Sequence, residues 1–144
     1  MRTARDDADS AGAYHHVCAY TLTLGDPAFI HQHVVDAFAA QTADAWTKPI
    51  GLTFALVGLY LLVEKQFSGR HVQRVHMALA RHKEPWPRFA LPEDRGPMTA
   101  ADVVAAPPGP DRDRAIHAWC ASVWAAYGES HGAVAHLLER HQII

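Results

Sequence analysis

The sequence predicts an all-α protein: a single compact bundle of about five main helices plus one short helix, with a long loop that contains proline and tryptophan. Three observations support this prediction. Apolar residues recur at intervals of three and four over most of the chain, as they do on the buried faces of helices. Glycine and proline interrupt these stretches where helices are expected to end. A content of 49% hydrophobic and 19% charged residues is ordinary for a globular domain.

The first two helices are predicted over residues 11–24 and 27–43, following a flexible N-terminus of residues 1–10. Helix one has an apolar stripe and is expected to end at Gly25, since glycine commonly follows the last helical turn. For helix two, Asp26 is the expected N-cap and Pro27 the expected first residue. Beyond the flexible N-terminus, residues 11–144 are predicted to form one helical domain.

Helix three, predicted over residues 48–67, is apolar nearly all round and should be surrounded by other helices. Gly51 and Gly58 lie close to one face of it, where they would let a neighbouring helix approach closely. Ser68 and Gly69 are expected to end it. Helix four, predicted over residues 70–83, carries His76 within its buried stripe.

Prolines exclude a helix over residues 84–97, and the apolar side chains of Trp86 and its neighbours predict a loop held against the bundle. Thr99 and Asp102 have the spacing of a capping box and predict a short helix. The last helix is predicted over residues 110–140, with a kink or break near Gly128 and Gly132.

Net charge and the distribution of apolar residues indicate which classes of partner, and which location, to expect. A net charge of −2 gives no electrostatic case for nucleic acid. The uncharged run 50–63 is shorter than the roughly 20 residues that a membrane span requires, so no membrane partner is expected. The N-terminal residues lack the apolar core of a secretory signal, which predicts a cytoplasmic protein. Formation of a homodimer and binding of an unidentified small molecule both stay open.

Helix two carries the most informative polar residues, because His33, Asp36 and Gln41 lie on or beside its buried face. An imidazole and a carboxylate one helical turn apart can bind the same metal ion. His76 is the expected partner from helix four. The other interpretation is that these groups only satisfy one another, or a basic residue such as Lys48, inside the core.

Helix one offers two further candidate ligands, His15 and Cys18, which with His33 would make a mixed site suited to zinc. A Cys–His nucleophilic pair and plain packing of Cys18 are the alternatives. Tyr14, His31 and Gln41 are expected to line the same pocket. The sequence contains no glycine-rich phosphate loop, HExxH or GxSxG motif, which removes the commonest nucleotide-binding, metalloprotease and hydrolase interpretations.

The motifs YHHVCAYTL at residues 14–22, GDPAFIHQHVVDAFAAQ at 25–41 and KPI at 48–50 resemble those of an uncharacterised bacterial family, a domain of unknown function. The resemblance covers nearly the whole chain and implies a helical fold, but it implies no activity, cofactor or partner. Where the family pattern usually has Glu this chain has His16, and where it often has a second Cys this chain has Ala19.

Two hypotheses follow for the function. In the first, the pocket built around His33, Asp36 and His76 holds a divalent transition metal, zinc being the best match. His15 or Cys18 would be a further ligand, and the Trp86 loop would restrict access. In the second, the protein is a non-catalytic structural or interaction protein whose His, Asp and Gln side chains only fix the packing of its helices.

Overall fold

The structure is a computed structural model that describes residues 4–83 and 85–144. Within these ranges the chain is all-helical and contains no strand, which confirms the predicted fold class. The helices are α1 (Ala4–Leu24), α2 (His31–Thr42), α3 (Pro49–Lys65), α4 (Gly69–Leu79), α5 (Ala100–Ala105), α6 (Pro110–Ala126) and α7 (His131–Arg140), with a 3₁₀ turn at Gly128–Ser130 between the last two.

Helix α3 lies at the centre of the bundle and packs against α2, α4, α6 and α7. Its sequence is apolar nearly all round, so it is stable only when other helices cover it on every side. Most of its residues are buried accordingly, including Leu56, Leu59 and Leu61, which are fully buried. The prediction of a central helix is confirmed.

Helices α1 and α5 pack mainly against α2, α6 and each other, outside the helices that cover α3. Helix α1 packs against α2 and α5, and α6 packs against α2, α3 and α5. The pairing of α2 with α6 matters most for the site, because it brings His33 on α2 to the ring of His117 on α6.

Several predicted boundaries were wrong by a few residues. Helix α1 begins at Ala4 and so includes part of the predicted flexible N-terminus, of which residues 1–3 lie outside the described ranges. Helix α3 ends at Lys65 because Gln66 adopts the left-handed conformation, with φ 58°, and closes the last turn. Ser68 instead begins α4, where its hydroxyl accepts a hydrogen bond from the His71 N–H at 3.1 Å.

Other local predictions are confirmed. Helix α1 ends at Leu24, and Gly25 follows it with φ 60°, as expected. Helix α5 begins with the expected capping box, in which Asp102 Oδ2 accepts from the Thr99 N–H at 2.8 Å. The last helix breaks at Gly128, where a 3₁₀ turn separates α6 from α7.

The loop between α4 and α5 is held against the bundle, as predicted. Trp86 packs edge-on against Phe54 of α3, with 5.5 Å between ring centroids. Near the other end of the loop, Arg95 Nη1 donates to the Ala43 carbonyl at 2.8 Å and so binds the C-terminal end of α2. None of the described helices is both long enough and apolar enough to cross a membrane.

Candidate functional site

The chain enters α2 through a turn that Asp26 stabilises. The predicted cap at this position was wrong, because the helix begins at His31 and Asp26 precedes it by more than a turn. Phe29 in the turn has φ 58°, and Asp26 Oδ2 accepts a hydrogen bond from the Ile30 N–H at 3.2 Å. The turn places the Asp26 carboxylate beside the first turn of α2, near His33.

His33 is a buried imidazole with an unsatisfied nitrogen. Its side chain is 3% exposed, and its Nδ1 has no hydrogen-bond partner within the described chain. Burial, together with a smaller effect of the nearby His117, lowers the pKa of His33 from 6.5 to about 4, and Asp26 opposes both effects. The His33 ring is therefore neutral at physiological pH, which is the form that binds metal ions.

His33 lines a pocket of about 540 Å³ that opens between α2, α6 and the turn from α3 to α4. The pocket contains a second imidazole, His117, whose ring centroid lies 5.8 Å from that of His33. It also contains two carboxylates, Asp26 from the turn before α2 and Asp113 one helical turn before His117. The residues that line it are Asp26, Ala28, Ile30, His33, Leu62, Gln66, Phe67, Ser68, Gly69, Asp113 and His117.

Asp113 is held by a tyrosine from α1. Its Oδ1 accepts a hydrogen bond from the Tyr20 hydroxyl at 2.7 Å. The same hydroxyl accepts from the Gly109 N–H at 3.0 Å. Tyr20 therefore connects α1, the residue before α6 and the pocket carboxylate.

Asp36 lies apart from this pocket and against α3. Its carboxyl group rests on the backbone of Gly58, so close that a Cβ on that residue would lie 1.8 Å from Asp36 Oδ2. Gln32 Nε2 donates to Oδ1 at 3.1 Å, and Oδ2 has no partner within the described ranges. Burial raises the pKa of Asp36 well above 3.8, which favours the neutral acid. The close approach expected at Gly58 is confirmed, whereas the one expected at Gly51 is not, because the nearest atom to a Cβ there is Thr47 Cγ2 at 4.0 Å.

Tyr14 and Cys18 of α1 lie on the Asp36 side of α2 and do not line the pocket. Tyr14 stacks on Phe38 with 3.8 Å between ring centroids and hydrogen-bonds Cys18. Burial raises the pKa of the Cys18 thiol, whereas a cysteine nucleophile requires a lowered pKa. The neighbouring His15 is exposed. Neither proposed ligand of α1 meets His33 in the pocket.

His76 is engaged elsewhere. One of its ring nitrogens, Nε2, is hydrogen-bonded to the Phe54 carbonyl at 2.8 Å, and its ring stacks on that of Phe54. It therefore does not face His33 across the bundle as the sequence suggested. Trp86 packs edge-on against the same phenylalanine and is not among the residues that line the His33 pocket. The expected role of its loop in restricting access therefore has no counterpart at that pocket.

Gln41 is part of a buried hydrogen-bond network that connects three segments. Its Oε1 accepts from the Trp119 Nε1 at 2.9 Å, and its Nε2 donates to the Met98 carbonyl at 2.6 Å. It fixes α2 against α6 and against the start of α5, and it lies outside the pocket. His31 lies on another face of α2, where its Nδ1 is hydrogen-bonded to Thr21 Oγ1 at 2.9 Å.

Sequence reasoning assigned Asp26 only as a helix cap, and it missed two further functional residues of the pocket, Asp113 and His117. A spacing of four places them on the same face of α6, and that spacing was visible in the sequence. The pairing of α6 with α2 was not, since it depends on how the helices pack. Within the described ranges, no three His, Cys, Asp or Glu side chains are already arranged to hold a metal ion.

Comparison with known proteins agrees with the resemblance seen in the motifs. No curated protein and no solved structure matches the chain. One family model matches residues 4–128, which is most of the sequence. The chain belongs to this family, DUF5946, a family of unknown function.

Proposed function

We propose that this protein is a metal-binding domain that holds a divalent transition-metal ion, zinc being the best match, in the pocket of His33 and His117. One observation carries the proposal: a neutral, almost fully buried imidazole lines a pocket while one of its nitrogens lacks a partner. A buried polar atom without a hydrogen bond is costly, by about 1–3 kcal/mol. An unsatisfied group of this kind in a native structure calls for an explanation, and binding of a ligand is one.

The chemistry of the pocket selects a cation. Among the side chains that the structure describes, the ionisable ones that line it are two imidazoles, His33 and His117, and two carboxylates, Asp26 and Asp113. None of the lysines and arginines in that part of the chain lines the pocket. The ionisable side chains of the pocket therefore offer electron pairs and negative charge, and both suit a metal cation.

The two imidazoles favour a transition metal over magnesium or calcium, which prefer oxygen ligands. Two imidazoles bound to one tetrahedral zinc ion at about 2.0 Å have ring centroids about 5 Å apart. The observed separation of 5.8 Å requires only a small adjustment. Asp113 or Asp26 would supply the oxygen ligand. One carboxylate would have to move to do so, since no three ligands are already in place in the part of the chain that the structure describes.

The proposed ligand set differs from the one that the sequence suggested. His33 remains, whereas His117 and a pocket carboxylate replace His76, His15, Cys18 and Asp36. The reason is geometric, because His76 is bonded to a backbone carbonyl and Asp36 packs against Gly58.

A second candidate function, a non-catalytic structural or interaction protein, is favoured by the Gln41 network. That network is saturated by Trp119 and the Met98 carbonyl, as expected for a group that only fixes helix packing. It does not account for His33, whose Nδ1 is unpartnered. The two functions are separated by whether His33 binds a ligand.

The test is elemental analysis of untagged protein by mass spectrometry, after dialysis against zinc and then against buffer without chelator. The wild type should retain about one zinc ion per chain, and His33→Gln should retain much less. His76→Gln is the matched control, because this imidazole already has a backbone partner, and it should retain as much as the wild type. Zinc contents that are equal in wild type and His33→Gln would contradict the proposal.

A further inference from the structure

The hydroxyl of Tyr20 contacts one of the two pocket carboxylates. It donates to Asp113 Oδ1 at 2.7 Å, which is a short hydrogen bond to a charged acceptor. The bond engages one carboxylate oxygen and leaves Oδ2 for a second partner. Tyr20 itself is fixed by the Gly109 N–H at 3.0 Å and by the Arg112 guanidinium, which lies 4.8 Å from the centroid of its ring.

We infer that Tyr20 is the positioning residue that orients the Asp113 carboxylate for cation binding in the pocket, an inference that rests on the proposed function. Carboxylates that bind metal ions commonly use one oxygen for the ion and the other for a hydrogen bond that fixes their orientation. Tyr20 and Asp113 have this arrangement, although they come from α1 and α6. Tyr20 acts through Asp113 and does not itself line the pocket.

Tyr20 lies against the segment from Val104 to Asp113, here called the corner, which joins α5 to α6. Hydrogen bonds within the corner hold it in place, and a positioning residue requires such fixed surroundings. Arg112 is 6% exposed, and it donates to the Val104 and Ala106 carbonyls at 3.0 Å each. These bonds tie the end of α5 to the first turn of α6. The Tyr20 phenol is therefore held at its hydroxyl by the Gly109 backbone and at its ring by the buried Arg112 guanidinium.

The experiment is a calorimetric titration of zinc chloride into chelator-stripped protein. Four chains form a double-mutant cycle: wild type, Tyr20→Phe, Asp113→Asn and the double variant. Tyr20→Phe keeps the aromatic ring and removes only the hydroxyl. Its zinc Kd should be about 10–100-fold weaker than that of the wild type. In the Asp113→Asn background the same substitution should change the Kd by less than about twofold.

Tyr127→Phe is the matched control, because it removes a buried tyrosine hydroxyl that lies outside the pocket. That hydroxyl donates to the Ala40 carbonyl at 2.6 Å, and Tyr127 is not among the residues that line the pocket. This variant should unfold at a lower temperature, yet bind zinc within about twofold of the wild type. The comparison separates an effect on stability from an effect on the carboxylate.

Three outcomes would overturn the inference. An unchanged Kd in Tyr20→Phe would show that the hydroxyl does not matter for binding. Equal weakening of binding with and without the Asp113 carboxylate would show that Tyr20 acts through the architecture of the corner. A wild-type protein that takes up no zinc would refute the metal pocket itself, and that result is visible before any variant is compared.

Discussion

The contact between Gly58 and Asp36 predicts that Gly58→Ala destabilises the wild-type protein but stabilises a variant in which Asp36 has been replaced by alanine. In the wild type a Cβ at position 58 would lie 1.8 Å from Asp36 Oδ2, whereas ordinary van der Waals contact begins near 3.4 Å. Asp36 is 3% exposed, and rotation of its carboxyl group away from position 58 would break its hydrogen bond from Gln32. Gly58→Ala should therefore destabilise the protein.

The magnitude follows from three contributions. Overpacking a buried contact costs about 1–3 kcal/mol, and loss of the Gln32 hydrogen bond adds about 1 kcal/mol. Replacing glycine by alanine within a helix returns about 1 kcal/mol. The net expectation is a loss of about 2 kcal/mol. In an Asp36→Ala background the obstruction is gone, and the same substitution should stabilise the protein by about 1 kcal/mol, because the methyl group also fills part of the space left by the carboxyl.

Urea unfolding followed by far-UV circular dichroism gives the free energy of unfolding of all four chains in this cycle. Gly51→Ala in the same helix is the matched control. The nearest atom to its added Cβ is Thr47 Cγ2 at 4.0 Å, so it should stabilise the protein by about 0.5–1 kcal/mol in both backgrounds. If Gly58→Ala changes stability by the same amount with and without Asp36, the close packing of α2 on α3 is not as described.

Two further predictions concern pH and the buried network. The pKa of His33 is lowered from 6.5 to about 4 in the folded protein, so its contribution to stability is present above pH 6.5 and is lost as the pH falls towards 4. In buffer with chelator, the free energy of unfolding of the wild type should fall by about 3 kcal/mol more than that of His33→Gln between these pH values; parallel pH profiles would contradict the lowered pKa. Gln41→Leu should cost about 2–3 kcal/mol in urea unfolding, because it leaves the buried Trp119 N–H without an acceptor; a change below about 0.5 kcal/mol would show that the network is replaceable.

Much of the fold could be predicted from the sequence because local signals determine it. The apolar stripes predicted the helices. Glycine, proline and the Thr99–Asp102 capping box predicted most of the places where the helices begin and end. The errors at the start of α2 and the end of α3 have a common cause. Phe29 and Gln66 adopt left-handed conformations that their residue types do not predict, so the chain turns there without a glycine.

Only the residues that α2 contributes to the candidate site could be predicted from the sequence. Helical periodicity indicated that His33 and Asp36 are buried, and both are. Periodicity cannot say which neighbour covers each residue, and two positions only one turn apart face different helices. His33 faces α6 and its His117, whereas Asp36 faces Gly58 of α3. The partners of the pocket therefore come from tertiary packing, which no spacing in the sequence encodes.

The most direct test of the metal pocket is a crystal structure of the protein grown with zinc, with diffraction data collected on both sides of the zinc absorption edge. The proposal predicts one strong anomalous peak between the rings of His33 and His117, within about 2.1 Å of a nitrogen of each. A pocket without an anomalous peak, or zinc bound only at another place such as the paired rings of His82 and His141, would contradict it.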